Sequence, residues 1–144
     1  MYKKILVALD HTKADDVLVP HIRELAELVQ AKLLLVHVAD GWAARNYDQL
    51  KLVESEEMKA DRAYLETLAN RVRAETGLTV DCRLALGDPP REILKLAESE
   101  NCDLIAMTTH GHRQNGDILF GSTIENVRHR THIPLLVISA VPKE

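Results

Sequence analysis

The sequence predicts an α/β fold, a parallel sheet covered by helices on both faces, and three observations predict it. Residues 5–9 and 33–38 form short, almost wholly apolar runs, as strands buried on both faces do. Between and after them, apolar residues recur at helical spacing. Strand-like and helix-like segments then alternate to the end of the chain, the pattern of βαβ units with right-handed crossovers. The 144 residues suit one domain, large enough to fold without a disulfide or a structural metal.

Residues 5–9 make the first strand, and Asp10, His11 and Thr12 a polar loop. Ile22, Leu25, Ala26 and Val29 fall at i, i+3, i+4 and i+7, so a helix follows. Pro20 either starts this helix or kinks it. Residues 33–38 are the second strand, and residues 39–49 read as a loop. Leu65, Leu68, Ala69 and Val72 mark a long helix that stops at Gly77. In residues 80–86, Val80, Cys82, Leu84 and Leu86 alternate with Asp81, Arg83 and Ala85. One face is therefore partly exposed, which places this strand at a sheet edge. Asp88 caps the next helix, with proline in its first turn and Ile93, Leu96 and Ala97 on its apolar stripe. Residues 104–107 form a strand, 108–121 a loop, a short helix starts near Ser122, and residues 134–138 are the last strand.

Composition narrows the function. The net charge of -4 supplies no basic excess for a phosphate backbone, and 3% aromatics leave little to stack bases on. Nucleic acid is therefore not expected as a partner. No apolar run reaches the length of a membrane span, and Cys82 and Cys102 stand far apart as two reduced thiols. The expected location is the cytoplasm.

In open parallel sheets, ligands bind at the carboxyl ends of the strands. The most informative loop there runs from Thr108-Thr109-His110-Gly111 to Gly121-Ser122-Thr123. Glycines at 111 and 121 let backbone N–H groups approach an anion. A helix opening at Ser122 and Thr123 would add free N–H groups and its positive dipole end. An alternative fits the same residues: Ser122 and Glu125 have the spacing of a capping box, with Ser122 as a plain helix cap. The loop is not a P-loop, because no lysine follows Gly121.

Taken together, these segments resemble the universal stress proteins along essentially the whole chain. The resemblance rests on residues 5–10, 34–38, Gly87-Asp88-Pro89, Cys102-Asp103-Leu104-Ile105, the 109–123 stretch and residues 134–138. It implies a Rossmann-like, adenine nucleotide alpha hydrolase-like sheet of order 3-2-1-4-5 and a homodimer formed through the last strand. It further implies a regulatory module that binds ATP or AMP, with Mg²⁺ held by the phosphates. Carried over by position, Gly111 and Gly121 flank the phosphates, and Ser122 and Thr123 donate to them. Asp10 and the backbone at Ala8 and Leu9 lie against ribose and adenine, and Val38 offers backbone contacts to the adenine edge. The motif G-x2-G-x9-G-[ST] is incomplete, since its first glycine falls on Thr108. The family also has a branch without the glycines that does not bind ATP. The alternatives implied are thus a stress protein acting through protein contacts and a slow ATP hydrolase.

The remaining residues add less. His110 would either line the phosphates or bond the backbone of its own loop, and Arg113 or Arg128 would either offset phosphate charge or stand as solvated surface charges. The seven histidines lack metal-ligand spacing, so no metal site is expected. No nucleophile–base constellation is legible, and the glutamates and lysines between Glu54 and Glu66 read as a solvated helix face.

Overall fold

Five parallel strands form one sheet of order β3-β2-β1-β4-β5, as the sequence led us to expect. The strands are β1 (Lys4–Leu9), β2 (Lys32–Ala39), β3 (Val80–Leu86), β4 (Leu104–Thr109) and β5 (Leu135–Ser139). The helices are α1 (Asp15–Val29), α2 (Glu56–Thr76), α3 (Pro89–Ser99) and α4 (Asn115–Arg130). This computed structural model describes residues 1–39, 56–109 and 115–140, with 115–122 described as helix alone.

The apolar strands are explained by two cores. Ile5, Val7, Leu9, Leu33 and Leu35 pack under α1 and α2, against Leu18, Ile22, Leu65 and Val72. Leu6, Leu34, Val36, Ile105 and Met107 pack under α3 and α4, against Ile93, Ala97 and Val127. Alternate residues of each strand serve opposite faces, and both faces are covered, so no polar alternation survives in β1, β2 or β4. β3 lies at an edge and alternates, as expected.

Several local readings hold. The Asp88 carboxylate accepts the Arg91 N–H at the start of α3, with prolines at its first positions. Gly77, just past α2, has φ +76, a conformation that glycine adopts without strain. Pro20 lies inside α1, so α1 lacks the N–H that would meet the Asp16 carbonyl.

One reading is corrected. The last helix begins at Asn115, not near Ser122. Residues 117–120 contain no helix breaker, and Phe120, Ile124 and Val127 keep helical spacing through Gly121. Ser122 and Thr123 are therefore interior helix positions, where the N–H goes to the carbonyl four residues back. Neither the helix-terminus anion site nor the Ser122 capping box stands.

A candidate nucleotide slot at the switch point

The order β3-β2-β1-β4-β5 reverses direction between β1 and β4, which makes a crevice at their carboxyl ends. A slot of about 180 Å³ lies there. Ala8, Leu9 and Asp10 line it from β1, Val36, His37 and Val38 from β2, and Met107 and Thr108 from β4. Pro89 and Ile93 of α3 and Thr123 of α4 complete the described lining. Its walls are mainly apolar, with Asp10, His37 and two threonines as polar groups.

The backbone supplies a further group. In β2 the Lys32 N–H donates to the Lys3 carbonyl, and the Leu33 N–H to Thr79 on the opposite side. Even-numbered residues of β2 thus turn their N–H and C=O toward β1. β1 ends opposite His37, so Val38 is the last residue turned that way. The His11 N–H, next in sequence to meet the Val38 carbonyl, donates instead to Asp15 Oδ2 at 2.9 Å. Among the described residues, the Val38 carbonyl is left without its ladder partner at the mouth of the slot.

That diversion belongs to a buried network. Asp15, 1% exposed, also accepts the Asp10 N–H at 2.9 Å and the Tyr64 hydroxyl at 2.7 Å. His11 takes φ +61, uncommon for a side chain with a Cβ, and stacks on Tyr64 with ring centroids 4.1 Å apart. Its Nδ1 donates to Asp61 Oδ1 at 2.5 Å, while His37 Nδ1 donates to the Leu9 carbonyl at 2.9 Å. His37 Nε2 lies 3.5 Å from Asp61 Oδ2. A second cleft of about 390 Å³ opens on this side, sharing Asp10, His37 and Val38 with the slot and adding Glu57 and Asp61. Burial pushes the Asp10 carboxyl up to about 7, and the Asp15 carboxylate adds to this. His37 and a 3.4 Å bond from the Thr108 hydroxyl act in the opposite sense.

Of the residues expected from sequence, Ala8, Leu9, Asp10, Val38, Thr108 and Thr123 meet at this slot. Gly121 and Ser122 fall within α4, with only their helical state described. His110, Gly111 and Arg113 lie outside the described residues. Arg128 is exposed and pairs with Glu125 at 2.8 Å. Thr108 lies in an extended strand opposite Ile138, so its place demands no left-handed backbone. Sequence reasoning missed Val36, His37, Pro89, Ile93 and Met107, and the whole Asp15–Tyr64–His11–Asp61 network. Asp61 had a signal: Met58, Asp61, Leu65, Leu68 and Val72 share one helical stripe, and all are buried. The solvated-face reading covered the glutamates and lysines of that stretch and passed over Asp61, which is 5% exposed.

Comparison with known proteins decides the family. The model of the universal stress protein family matches residues 1–139. The chain belongs to that family. Among its relatives, universal stress protein MJ0577 of Methanocaldococcus jannaschii is 29% identical, the match covering 96% of this chain and 95% of the relative. The solved MJ0577 structure superposes with a TM-score of 0.73 at 28% identity, over 100% of this chain and 99% of that one. A universal stress protein in complex with cAMP shares the fold at 20% identity, with a TM-score of 0.70 over 96% of this chain and 98% of its own. So does one from Archaeoglobus fulgidus in complex with dAMP, at 21%, with a TM-score of 0.67 over 94% and 97%.

Among the described residues, no helix is long and apolar enough to cross a membrane, and no group of three or more His, Cys, Asp or Glu could hold a metal ion.

Proposed function

We propose that this universal stress protein binds an adenine nucleotide, AMP or ATP, in the slot between β1 and β4. It acts as a homodimeric regulatory module of the stress response in the cytoplasm. The observation that carries the reading is the Val38 carbonyl, deprived of its ladder partner at the mouth of an apolar slot. A planar ring between Val36, Met107 and Ile93 would bury its faces there. An exocyclic amino group on its edge would give the carbonyl a donor, which favours adenine over a base with a carbonyl at that position. The slot is smaller than the roughly 300 Å³ at which whole-ligand pockets begin. It suits a base, with sugar and phosphates outside it, toward Asp10 and Thr123. Two fold relatives that hold cAMP and dAMP agree with this reading. Phosphates lying outside the slot in this way would carry Mg²⁺ with them, held mainly by phosphate oxygens.

The test is mass spectrometry of what the purified protein releases on denaturation, with melting curves in ATP, ADP and AMP. Ligand at a hundred times its dissociation constant stabilises by roughly 2.7 kcal/mol. An Ala8→Leu variant, filling the slot, is expected to fold and to lose the shift. An empty protein with no shift in any adenine nucleotide refutes the site. It would favour action through protein contacts, to which Thr108, in place of the motif's first glycine, already points.

A further inference from the structure

Asp10 stands where the slot and the second cleft meet, and every described element around it holds it differently. From α1, the buried Asp15 carboxylate binds the Asp10 peptide N–H. From β2, His37 lies along both cavities. From β4, the Thr108 hydroxyl donates to Asp10 Oδ2 at 3.4 Å, its residue 3% exposed. Across the second cleft stand His11, and Glu57 and Asp61 of α2. Two carboxyl groups, the part-buried Asp10 and the buried Asp15, thus stand in neighbouring positions, and a third and fourth face the same space. Such an array resists one more negative charge.

We propose that Asp10 is the charge-selecting residue of the slot: a phosphate-bearing ligand enters with a proton on the Asp10 carboxyl, and the uncharged nucleoside enters without that requirement. Thr108 is the positioning residue that sets when the proton leaves. Its hydroxyl can donate to the ionised carboxylate, so it favours the charged form. The midpoint near 7 puts the change within ordinary pH. The inference rests on the adenine-nucleotide reading above and adds its regulation by pH and ligand charge.

The experiment is calorimetric titration of the full chain with cAMP and with adenosine, from pH 6 to 8.5. A phosphomonoester titrates near pH 6 itself, whereas the cyclic diester keeps one charge throughout, so its own ionisation does not enter. Affinity for cAMP is expected to fall with rising pH, approaching tenfold per unit above the midpoint, because the anion then displaces the equilibrium toward the protonated carboxyl. Adenosine affinity is expected to change less than twofold. Asp10→Asn keeps the shape and removes the charge, so its cAMP profile should be flat. Thr108→Val removes the donated bond and should move the wild-type inflection to higher pH. Parallel, flat profiles for both ligands in the wild type overturn the selector and leave the nucleotide site standing. Binding of neither ligand at any pH overturns both. An inflection that survives Asp10→Asn assigns the effect to another group and overturns the proposal.

Discussion

Asp61 Oδ1, on α2, lies 2.5 Å from His11 Nδ1, on the loop after β1. This contact fastens the helix to the strand end that carries Asp10. Asp61 is 5% exposed, and it reaches His37 as well at 3.5 Å. Replacing Asp61 by Ala leaves the His11 donor without its acceptor. His11 keeps some access to water, so the loss is expected to be about 2 kcal/mol in a urea denaturation curve. A variant as stable as wild type would show that the contact contributes nothing net.

Asp15 should matter more. It accepts two backbone N–H groups and the Tyr64 hydroxyl while almost fully buried. Asp15→Ala strands three donors, each costing about 1–3 kcal/mol, and is expected to destabilise by about 4 kcal/mol. Tyr64→Phe removes only one donor together with its hydroxyl and should cost about 1.5 kcal/mol. Burial, then the bond to Asp15, holds the Tyr64 phenol well above its ordinary value. Ultraviolet titration should therefore show the Tyr64 phenol still protonated well above the ordinary tyrosine range, and Tyr64→Phe should remove that late component.

Stability should depend on pH through Asp10. Its carboxyl rises from 3.8 to about 7 on folding, so the native state binds the proton more tightly than the unfolded chain. That contribution is fully present below pH 3.8 and is lost as pH rises through about 7. Each unit corresponds to 1.36 kcal/mol, and Asp10 keeps part of its hydration, so about 2 kcal/mol is expected across this window. Asp10→Asn has no proton to lose, and its stability relative to wild type should improve as pH rises from 4 to 8. An unchanged difference across that range would contradict the burial argument.

How far the sequence carried follows from which forces are local. Apolar runs in β1, β2 and β4, the Asp88 cap and the Gly77 stop are each written within a few residues, and all were legible. The resemblance named Ala8, Leu9, Asp10, Val38 and Thr108, and these do line one slot, because the strand ends of this architecture meet at a crevice. The start of α4 was misread because glycines at 116 and 121 suggest a loop, although the apolar spacing passes through Gly121. The Asp15–Tyr64–His11–Asp61 network joins residues about fifty positions apart. No local pattern states such a pairing, and only the polar residue on the α2 stripe pointed to it.

The two cysteines should differ in reactivity. Burial pushes the Cys102 thiol up to about 11 and raises Cys82 as well. The thiolate is the reactive form, so both should react slowly at pH 7. Cys82 is half-buried on β3, whereas Cys102 is 5% exposed. A disulfide reagent should modify Cys82 first, and Cys102 only after unfolding. Faster modification of Cys102 in the folded protein would contradict the burial described for it.

The two sheet edges are protected unequally, which bears on the proposed dimer. β3 turns the charged, exposed Asp81 and Arg83 outward, and such charges discourage pairing with another chain. β5 has no charged residue from Leu135 to Ser139, and Val137 is 41% exposed. It pairs with β4 on one side, and its other edge can take a strand from a second copy. Val137→Lys places a charge in that apolar strand and should yield a folded monomer, while Asp81→Asn on the other edge should leave the dimer intact. Light scattering on a sizing column distinguishes the two, and the wild type should elute at twice the chain mass. Its melting temperature should rise with protein concentration, and that dependence should vanish in Val137→Lys. A wild type that stays monomeric at high concentration would rule out the β5 edge as the interface. A dimer unaffected by Val137→Lys would place the interface on another surface.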